Sequence, residues 1–495
     1  MTNVILAIDE GTTNSKAILI NETGEIISDG EEKVAIEYPS SGWVQQDALL
    51  IWSATETAIK NCVLKAPNHN IVGVGISNQR ESIMIWDRNT GEPLGPVITW
   101  QCRRTAARCA ELKQAGFEQE IMERTGLPLD PLFPATKLQW LIQNYGANCI
   151  VAAGTVDSWL IWKLSGGAKH ATDKSNAART QLYNIHEDCW DSELCHLFQI
   201  DPSVLPKVCD SSHIFGFTDG LDVLPDGIPI ASAIGDSHAA LFGHGASEPG
   251  DGKATFGTGS SIMLILPRFT PPPKGLTTTI AWSIDGKTTF AFEGNILVSG
   301  SILPWTATML GCDTVKDLLD LAQSTESSSG VSLVPAHVGL GCPHWDPDAR
   351  GLLHGLSFDT TPANIARAAV ESIGLQINDI YEIMLKTTAL GHNALYVDGG
   401  PSSSRFIMQS VADYTRLKIM QYNQTAVSAI GAGYLAGLSV GFWKNVEAVQ
   451  SLVTSTTVID PQLSMKARES RLTQWHDAIG RTLTKSPTGS LDEVT

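Results

Sequence analysis

The sequence feature that most constrains the fold is a hairpin pattern that occurs once in each half of the chain. In residues 4–20, two apolar, β-branched runs flank a polar turn that contains Asp9, Gly11 and Thr12. In residues 253–266 the same arrangement surrounds Gly257-Thr258-Gly259. Such runs around a tight turn predict a strand, a turn and a second strand. Two of these hairpins, each opening a long segment, predict a duplicated fold.

The chemistry of the first turn suits a phosphate ligand. Successive backbone N–H groups in a turn form an anion-binding concavity, and a glycine lets the backbone approach a ligand closely. The carboxylate of Asp9 could hold a magnesium ion, while Thr12, Thr13 and Ser15 supply hydroxyl donors. An ordinary hairpin turn has a similar composition, so this turn alone leaves both interpretations open.

Composition narrows the class of partner and the compartment. The net charge of −18 argues against nucleic acid or an anionic membrane surface as a partner. The first residues lack a basic region before an apolar run, so we expect no signal peptide. Nine cysteines without a Cys-x-x-Cys pair favour reduced thiols and a cytoplasmic location. An uncharged stretch at 425–443 could span a membrane, but its small residues favour a buried, tightly packed helix.

The length of 495 residues predicts at least two large domains. The turn-rich segment 246–252 separates the halves, and we place the domains at 1–250 and 251–480, with a polar tail at 481–495. Apolar strands and amphipathic helices alternate in both, which predicts mixed sheets with helical cover. The strand predicted at 230–236 ends in the carboxylate of Asp236.

Two familiar nucleotide motifs are absent from the sequence, the Gly-x-x-x-x-Gly-Lys-Ser/Thr loop and the Gly-x-Gly-x-x-Gly turn between a strand and a helix. Four other pieces carry a resemblance: Asp9-x-Gly11-Thr12-Thr13, Gly235-Asp236, Gly257-Thr258-Gly259 and Asp398-Gly399-Gly400. Together they resemble the FGGY carbohydrate kinases. Within that family the chain is most similar to the glycerol kinases, through residues 77–81, 100–104, 155–163 and 430–437.

This resemblance implies an α/β fold of two actin-like (ribonuclease-H-like) domains with mixed β-sheets and an interdomain active-site cleft. The N-terminal domain would bind the polyol or sugar and supply the catalytic base, and the C-terminal domain would bind the nucleotide. The reaction would be ATP-dependent phosphorylation of a hydroxyl, with ATP and Mg²⁺ as cofactors. We also expect a homo-oligomer, either a dimer or a tetramer.

The resemblance also assigns individual roles. Asp236 would be the general base and, with Asp9, would hold magnesium. Lys16 stands where glycerol kinases carry Arg, and Ser404 stands where they carry Asn. The residues implied to contact ATP are Thr12, Thr13, Asn14, Lys16, Thr258, Gly259, Gly300, Gly400 and Ser404.

In the substrate pocket, the resemblance is incomplete. Arg80, Glu81 and Trp100 match residues of the family that contact glycerol. The residues at three further positions differ: Leu132, Ser237 and Ser261 replace an expected Tyr, Gln and Phe. Together with Asp236, these six residues are the candidate substrate contacts.

The three replacements reduce side-chain volume or remove a hydrogen-bond donor. Our hypothesis is therefore a pocket enlarged for a four- or five-carbon polyol or ketose such as erythritol, xylitol, xylulose or ribulose. A glycerol kinase that produces glycerol 3-phosphate is the alternative enzyme. A non-enzymatic actin-like nucleotide-binding protein is the alternative from another class.

Overall fold

A computed structural model describes residues 2–146, 150–388, 390–391, 394–422, 424, 426–453 and 456–484. Residues 485–495 of the predicted polar tail lie outside the described residues. In the part that is described, the last helix extends into this tail and ends at Thr482.

The elements of the first half are as follows. The strands are β1 Thr2–Glu10, β2 Asn14–Ile20, β3 Ile26–Lys33, β4 Gln45–Gln46, β5 His69–Asn78, β6 Ile83–Asp87, β7 Val97–Ile98, β8 Val151–Thr155, β9 Ala171–Asp173, β10 Tyr183–Asn184, β11 Cys189–Trp190, β12 Lys207–Cys209, β13 Ser212–Phe217 and β14 Pro229–Gly235. The helices are α1 Ala48–Lys65, α2 Ala106–Gln114, α3 Glu118–Thr125, α4 Pro134–Tyr145, α5 Val156–Leu164, α6 Lys174–Ala177, α7 Ser192–Leu197 and α8 Asp236–Gly243.

The elements of the second half follow in the same way. The strands are β15 Gly252–Phe256, β16 Ser260–Leu266, β17 Thr277–Ile284, β18 Lys287–Ile296, β19 Ser332–Val334, β20 Leu352–His354, β21 Ala394–Gly399, β22 Lys418–Tyr422 and β23 Thr456–Ile459. The helices are α9 Ile302–Leu310, α10 Val315–Gln323, α11 Pro362–Thr388, α12 Arg405–Thr415, α13 Val427–Ser439, α14 Val446–Gln450 and α15 Met465–Thr482.

The two halves repeat one strand arrangement. In the first half β1 pairs antiparallel with β2 and β2 with β3, while β1 runs parallel to β5 and β5 to β14. In the second half β15 pairs antiparallel with β16 and β16 with β18, while β15 runs parallel to β21 and β21 to β22. The predicted duplication and the mixed sheets are therefore confirmed.

The edge of each sheet where its parallel strands end carries the predicted motifs. Glu10, Asn78 and Gly235 are in register across β1, β5 and β14, so the chain leaves all three strands at one edge. In the second half Phe256 is in register with Gly399, which brings the turn after β15 beside the turn after β21. Residues far apart in sequence therefore meet at these two edges.

Helix α13 occupies most of the uncharged stretch that could have been a membrane span. It packs against α8 so closely that a Cβ on Gly431 would lie 1.9 Å from the Ala239 carbonyl oxygen. A Cβ on Gly243 would lie 2.4 Å from the Val427 carbonyl oxygen. Its small residues thus permit direct contact between backbones. Among the residues described, no helix combines the length and apolar character needed to cross a membrane.

Candidate active site

Three acidic or basic residues meet where the parallel strands of the first half end. Asp9 is near the end of β1, Arg80 follows β5, and Asp236 is the first residue of α8 directly after β14. Arg80 Nε lies 3.1 Å from Asp236 Oδ1, which also accepts a hydrogen bond from the Ser237 N–H at 2.5 Å. Gly235, rather than Asp236, is the N-cap of α8. With 40% of its side chain exposed, the Asp236 carboxylate faces solvent and can meet a ligand.

Asp9 lies close enough to Asp236 for their charges to interact. Burial raises the pKa of Asp9 to about 6; a hydrogen bond from Ser77 Oγ at 2.7 Å opposes this rise, and Asp236 adds to it. A cation between the two carboxylates would remove this repulsion, which fits a divalent metal. No group of three or more His, Cys, Asp or Glu side chains is gathered for a metal ion in the described part of the chain. These carboxylates could thus supply only part of a magnesium coordination shell, as is usual when substrate phosphates and water complete it.

The first glycine turn is closed by its own backbone, because Gly11 N–H donates to the Asn14 carbonyl at 3.0 Å. The Thr12 carbonyl accepts from Gln46 Nε2 at 2.9 Å, and the Thr12 hydroxyl accepts from Trp100 Nε1 at 3.0 Å. Trp100 therefore joins the turn to the candidate substrate wall. Lys16 lies in β2 opposite Asp9, with its Nζ 3.9 Å from Glu31.

The second glycine turn is closed similarly, by a hydrogen bond from Gly257 N–H to the Gly259 carbonyl at 2.8 Å. A Cβ on Gly259 would lie 2.2 Å from the Ile296 carbonyl oxygen, and one on Gly300 would lie 2.4 Å from the Gly257 carbonyl oxygen. Bare backbone is therefore required at both positions. A Cβ on Gly400, in contrast, would meet no atom within 4 Å, which leaves open space beside this residue.

Two of the candidate ATP contacts hold the local backbone. The Thr13 carbonyl accepts a hydrogen bond from the Val34 N–H at 2.8 Å. The Ser404 hydroxyl caps α12 by accepting from the Ile407 N–H at 3.5 Å. The Thr258 carbonyl is also engaged, by the N–H groups of Ser299 and Ser301.

Arg80 and Glu81 are neighbours in sequence, but their side chains have different partners. Glu81 adopts the left-handed backbone conformation, with φ 60°, and its carboxylate lies 2.5 Å from Arg179 Nε. This conformation is uncommon for a residue with a side chain and marks a constrained position. Glu81 thus contacts Arg179, whereas Arg80 contacts Asp236.

A buried carboxylate from the second half connects the two arginines. Glu293 Oε1 lies 2.9 Å from Arg80 Nη1, and Glu293 Oε2 lies 2.7 Å from Arg179 Nη1. The Glu293 side chain is fully buried in β18; burial would raise its pKa, but the two arginines hold it below its usual value. Sequence reasoning missed both Glu293 and Arg179. The available signal was Glu293 itself, the one charged residue in the mostly apolar segment 290–296.

Two of the positions that differ from the family pattern, Ser237 and Ser261, lie close together. Lys253 Nζ donates to Ser237 Oγ at 2.8 Å, and Ser237 Oγ lies 3.2 Å from Ser261 Oγ. Ser261 Oγ in turn donates to Glu293 Oε1 at 3.1 Å. The two serines come from opposite halves of the chain, so this part of the pocket is built by both.

A buried lysine fixes the remaining pocket position. Lys137 Nζ donates to the Leu132 carbonyl at 2.7 Å and to the Thr99 carbonyl at 2.9 Å. This one side chain ties the segment of Leu132 to the segment that carries Trp100. Burial lowers the pKa of Lys137 to about 7.

The far end of α8 contacts the second half of the chain. His244, which directly follows the helix, makes a contact of 2.8 Å between its Nε2 and Asp398 Oδ2. Asp398 belongs to the predicted Asp398-Gly399-Gly400 motif at the end of β21. Because Asp236 begins α8, one short helix joins the candidate base to the Asp398-Gly399-Gly400 motif.

Comparison with known families and relatives shows which family the chain belongs to. The model of the FGGY family of carbohydrate kinases, N-terminal domain, matches residues 4–243, and that of the C-terminal domain matches residues 252–440. The chain is 44% identical to an apulose kinase of Pectobacterium atrosepticum over 97% of this chain and 98% of that protein. It is 40% identical to a glycerol kinase of Bdellovibrio bacteriovorus over 97% of this chain and 99% of that protein.

Solved structures give the same fold. A crystal structure of Plasmodium falciparum glycerol kinase with ADP matches with a TM-score of 0.93 and 30% identity, over 98% of this chain and 99% of that chain. A ligand-bound xylulose kinase of Lactobacillus acidophilus matches with a TM-score of 0.88 and 23% identity, over 97% of both chains. The two-domain actin-like fold predicted from the motifs is confirmed. The chain is therefore an enzyme, an ATP-dependent kinase that belongs to the FGGY family of carbohydrate kinases.

Proposed function

We propose that this kinase transfers the γ-phosphoryl group of ATP to a hydroxyl of a four- or five-carbon polyol or ketose, with Asp236 as general base. The observation that carries this proposal is that one oxygen of the Asp236 carboxylate is hydrogen-bonded and the other is not, within the part of the chain that the structure describes. Its Oδ1 is held by Arg80 Nε and the Ser237 N–H. Among the described residues nothing donates to its Oδ2, which leaves that oxygen available to a substrate hydroxyl.

The proton chemistry follows from this arrangement. Asp236 Oδ2 accepts the proton of the substrate hydroxyl as the hydroxyl oxygen attacks the γ-phosphorus. Arg80 keeps the carboxylate oriented, and the pKa of Arg80 is raised because Glu293, Glu81 and Asp236 outweigh the effect of burial. The guanidinium therefore stays charged throughout the reaction.

The two glycine turns would hold the phosphates from either side of the cleft. Residues 11–14 approach from the first half and residues 257–259 from the second, while Gly300 and Gly400 leave room for the adenosine. Asp9 and Asp236 would hold Mg²⁺, which supplies positive charge to the phosphate oxygens when it is bound. Most of the catalytic effect in this reaction class comes from positioning and charge, which this arrangement can provide.

The size of the substrate is argued from the pocket. Arg80, Glu81 and Trp100 retain the polar and aromatic contacts expected for a polyol, while Leu132, Ser237 and Ser261 replace larger or different side chains. A relative named apulose kinase at 44% identity supports a sugar larger than glycerol. Relatives named glycerol kinase at 40% identity support the alternative, in which the product is glycerol 3-phosphate. Cytoplasmic location and a dimeric or tetrameric state remain part of the proposal.

A coupled ADP-release assay separates these substrates. The assay compares kcat/KM for glycerol, erythritol, threitol, xylitol, xylulose, ribulose and apulose. We expect the highest value for a four- or five-carbon compound, because the pocket has lost bulk at three positions. A higher kcat/KM for glycerol than for every larger compound would favour the glycerol kinase alternative instead.

An Asp236→Asn variant tests the base directly. We expect kcat to fall by about 10³, within the range general-base catalysis contributes, while the Kd for ATP stays within about threefold of wild type. Asp226→Asn is the matched control, because Asp226 is an exposed aspartate of the same half that accepts a hydrogen bond from the Gly220 N–H. Retention of more than a tenth of kcat in Asp236→Asn would show that another group takes the proton.

A further inference from the structure

A chain of hydrogen bonds leads from Lys253 through two serines to Glu293. Every donor in this chain is on the Lys253 side of its acceptor. Glu293 is buried between two arginines that keep it ionised, so its oxygens can only accept. Ser261 donates its single hydroxyl proton to Glu293 Oε1 at 3.1 Å. Ser237 must therefore donate to Ser261, across 3.2 Å, and Lys253 must donate to Ser237.

This direction decides what the two serines can offer to a ligand. A hydroxyl group has one proton and two lone pairs. In the chain from Lys253 through Ser237 and Ser261 to Glu293, both serine protons and one lone pair of each oxygen are used. Ser237 is largely buried, whereas Ser261 is partly exposed. Ser261 thus has one lone pair left, and it can only accept a hydrogen bond.

The position of Ser261 places this acceptor near the reacting centre. Glu293 Oε1 is shared by Ser261 Oγ and Arg80 Nη1, and the same guanidinium holds the base Asp236 through its Nε. A substrate whose reacting hydroxyl contacts Asp236 would therefore extend another part of its chain toward Ser261. In the glycerol kinase pattern, a phenylalanine is expected at this position and would offer no acceptor.

We propose that Ser261 is a specificity-determining residue that accepts a hydrogen bond from a non-reacting hydroxyl of the substrate. This inference rests on the proposed kinase function and narrows its substrate. The carbon facing Ser261 bears a hydroxyl, because a carbonyl or carboxylate oxygen there would meet an acceptor without a proton between them. If the substrate is a ketose, its carbonyl lies elsewhere in the pocket.

The test measures kcat/KM for the best substrate of the panel and for its mono-deoxy analogues, each lacking one non-reacting hydroxyl. For erythritol, for example, such an analogue is butane-1,2,4-triol. For the wild type, kcat/KM should be about tenfold lower for one analogue than for the full substrate. In Ser261→Ala this particular loss should shrink to below about twofold, while the losses for the other analogues stay unchanged.

Two further variants make the result specific. Ser261→Thr retains a hydroxyl and should restore the discrimination seen in the wild type. Ser372→Ala removes a buried serine hydroxyl that donates to the Ala369 carbonyl within α11, and it should leave every ratio unchanged. Thermal unfolding of each variant shows whether the fold is intact.

The outcomes separate this inference from the function on which it rests. Equal ratios in Ser261→Ala and the wild type would overturn the role of Ser261 while leaving the kinase function in place. The role of Ser261 would also be overturned if Ser261→Ala lowered kcat/KM for the substrate and for all its analogues by the same factor. Absence of phosphorylation for every polyol and ketose tested would overturn the proposed substrate class, and this inference with it.

Discussion

Two buried glutamates in this molecule each bridge two arginines, yet their surroundings differ. Glu293 joins Arg80 and Arg179, which both come from the other half of the chain. Glu371 in α11 joins Arg367 at 3.0 Å and Arg471 at 2.8 Å, both from its own half. The same ionic arrangement therefore links the two halves in one place and two helices of one half in the other.

The two networks also end differently. From Arg471 the contacts pass to the buried hydroxyl of Ser332 at 2.7 Å. From Arg80 they pass to Asp236, whose carboxylate is partly exposed in the cleft. A buried ion pair is weak evidence for stability in itself. The difference favours a network of Glu293 that orients the candidate base, whereas the network of Glu371 fixes α15 against α11.

The largest effect that would sharpen this comparison is expected for Glu293→Gln. The substitution keeps the shape but removes the charge, so Arg80 and Arg179 lose their shared partner and Arg80 no longer has a fixed orientation at Asp236. We expect kcat/KM to fall about 10²-fold, together with a lower Tm. Steady-state kinetics and thermal unfolding check this result. Activity within threefold of wild type would show that Glu293 does not orient the base.

The next effect is the pH dependence of the cleft. Because the pKa of Asp9 is raised to about 6, its carboxylate is ionised only above that pH, and binding of a metal requires the ionised form. We expect kcat/KM for ATP to fall about tenfold per pH unit below pH 6. In Ser77→Ala, the loss of the hydrogen bond that lowers this pKa should move the acidic limb to higher pH. A flat profile between pH 5 and 7 would contradict this assignment.

Glu371→Gln should affect stability alone. Arg367 and Arg471 would lose their common carboxylate, which we expect to lower the free energy of unfolding by roughly 3 kcal/mol. Because no contact of Glu371 with a described residue leads to Asp236, kcat should stay within about twofold of wild type. Chemical denaturation and kinetics on the same preparation measure both quantities. A large loss of kcat at a temperature where the variant is folded would remove the distinction between the two networks.

The smallest effect is expected at Glu10, which follows Asp9 but is fully buried and accepts from Thr55 Oγ1 at 3.0 Å. Burial raises the pKa of Glu10 to about 8, so the folded state retains this proton where the unfolded state loses it. The stabilisation is complete at low pH and is lost as the pH rises toward 8.

Glu10→Gln removes this dependence, and we expect its Tm to exceed that of the wild type by a few degrees at pH 9. At pH 5 the two values should be nearly equal. Differential scanning calorimetry at both pH values provides the measurement. A lower Tm for the variant at pH 9 would mean that the hydrogen bond from Thr55 matters more than the buried charge.

The sequence predicted the features that depend on local pattern. Both glycine turns lie between paired strands, and Asp236 directly follows β14, because a strand, a turn and an apolar run are each encoded by adjacent residues. Family membership and fold followed from these short motifs. The roles of the individual site residues and the domain limits at 250 and 480 stay predictions.

The contacts that the sequence could not show are those between distant segments. Arg179 and Glu81 are 98 positions apart, and Glu293 belongs to the other half of the chain. No periodicity records such a pairing, since it depends on which strand edges meet after folding. The left-handed backbone at Glu81 and its contact with Arg179 were hidden for the same reason.

The backbone contact between α8 and α13 has a consequence for how such an enzyme can change. A single methyl group on Gly431 would overlap the Ala239 carbonyl, so this position accepts no other side chain without moving one helix and, with it, the residue that opens α8. We therefore expect changes in substrate preference at the candidate pocket positions and not at this helix contact. Directed evolution of this enzyme should randomise positions 132, 237 and 261 and leave 243 and 431 untouched.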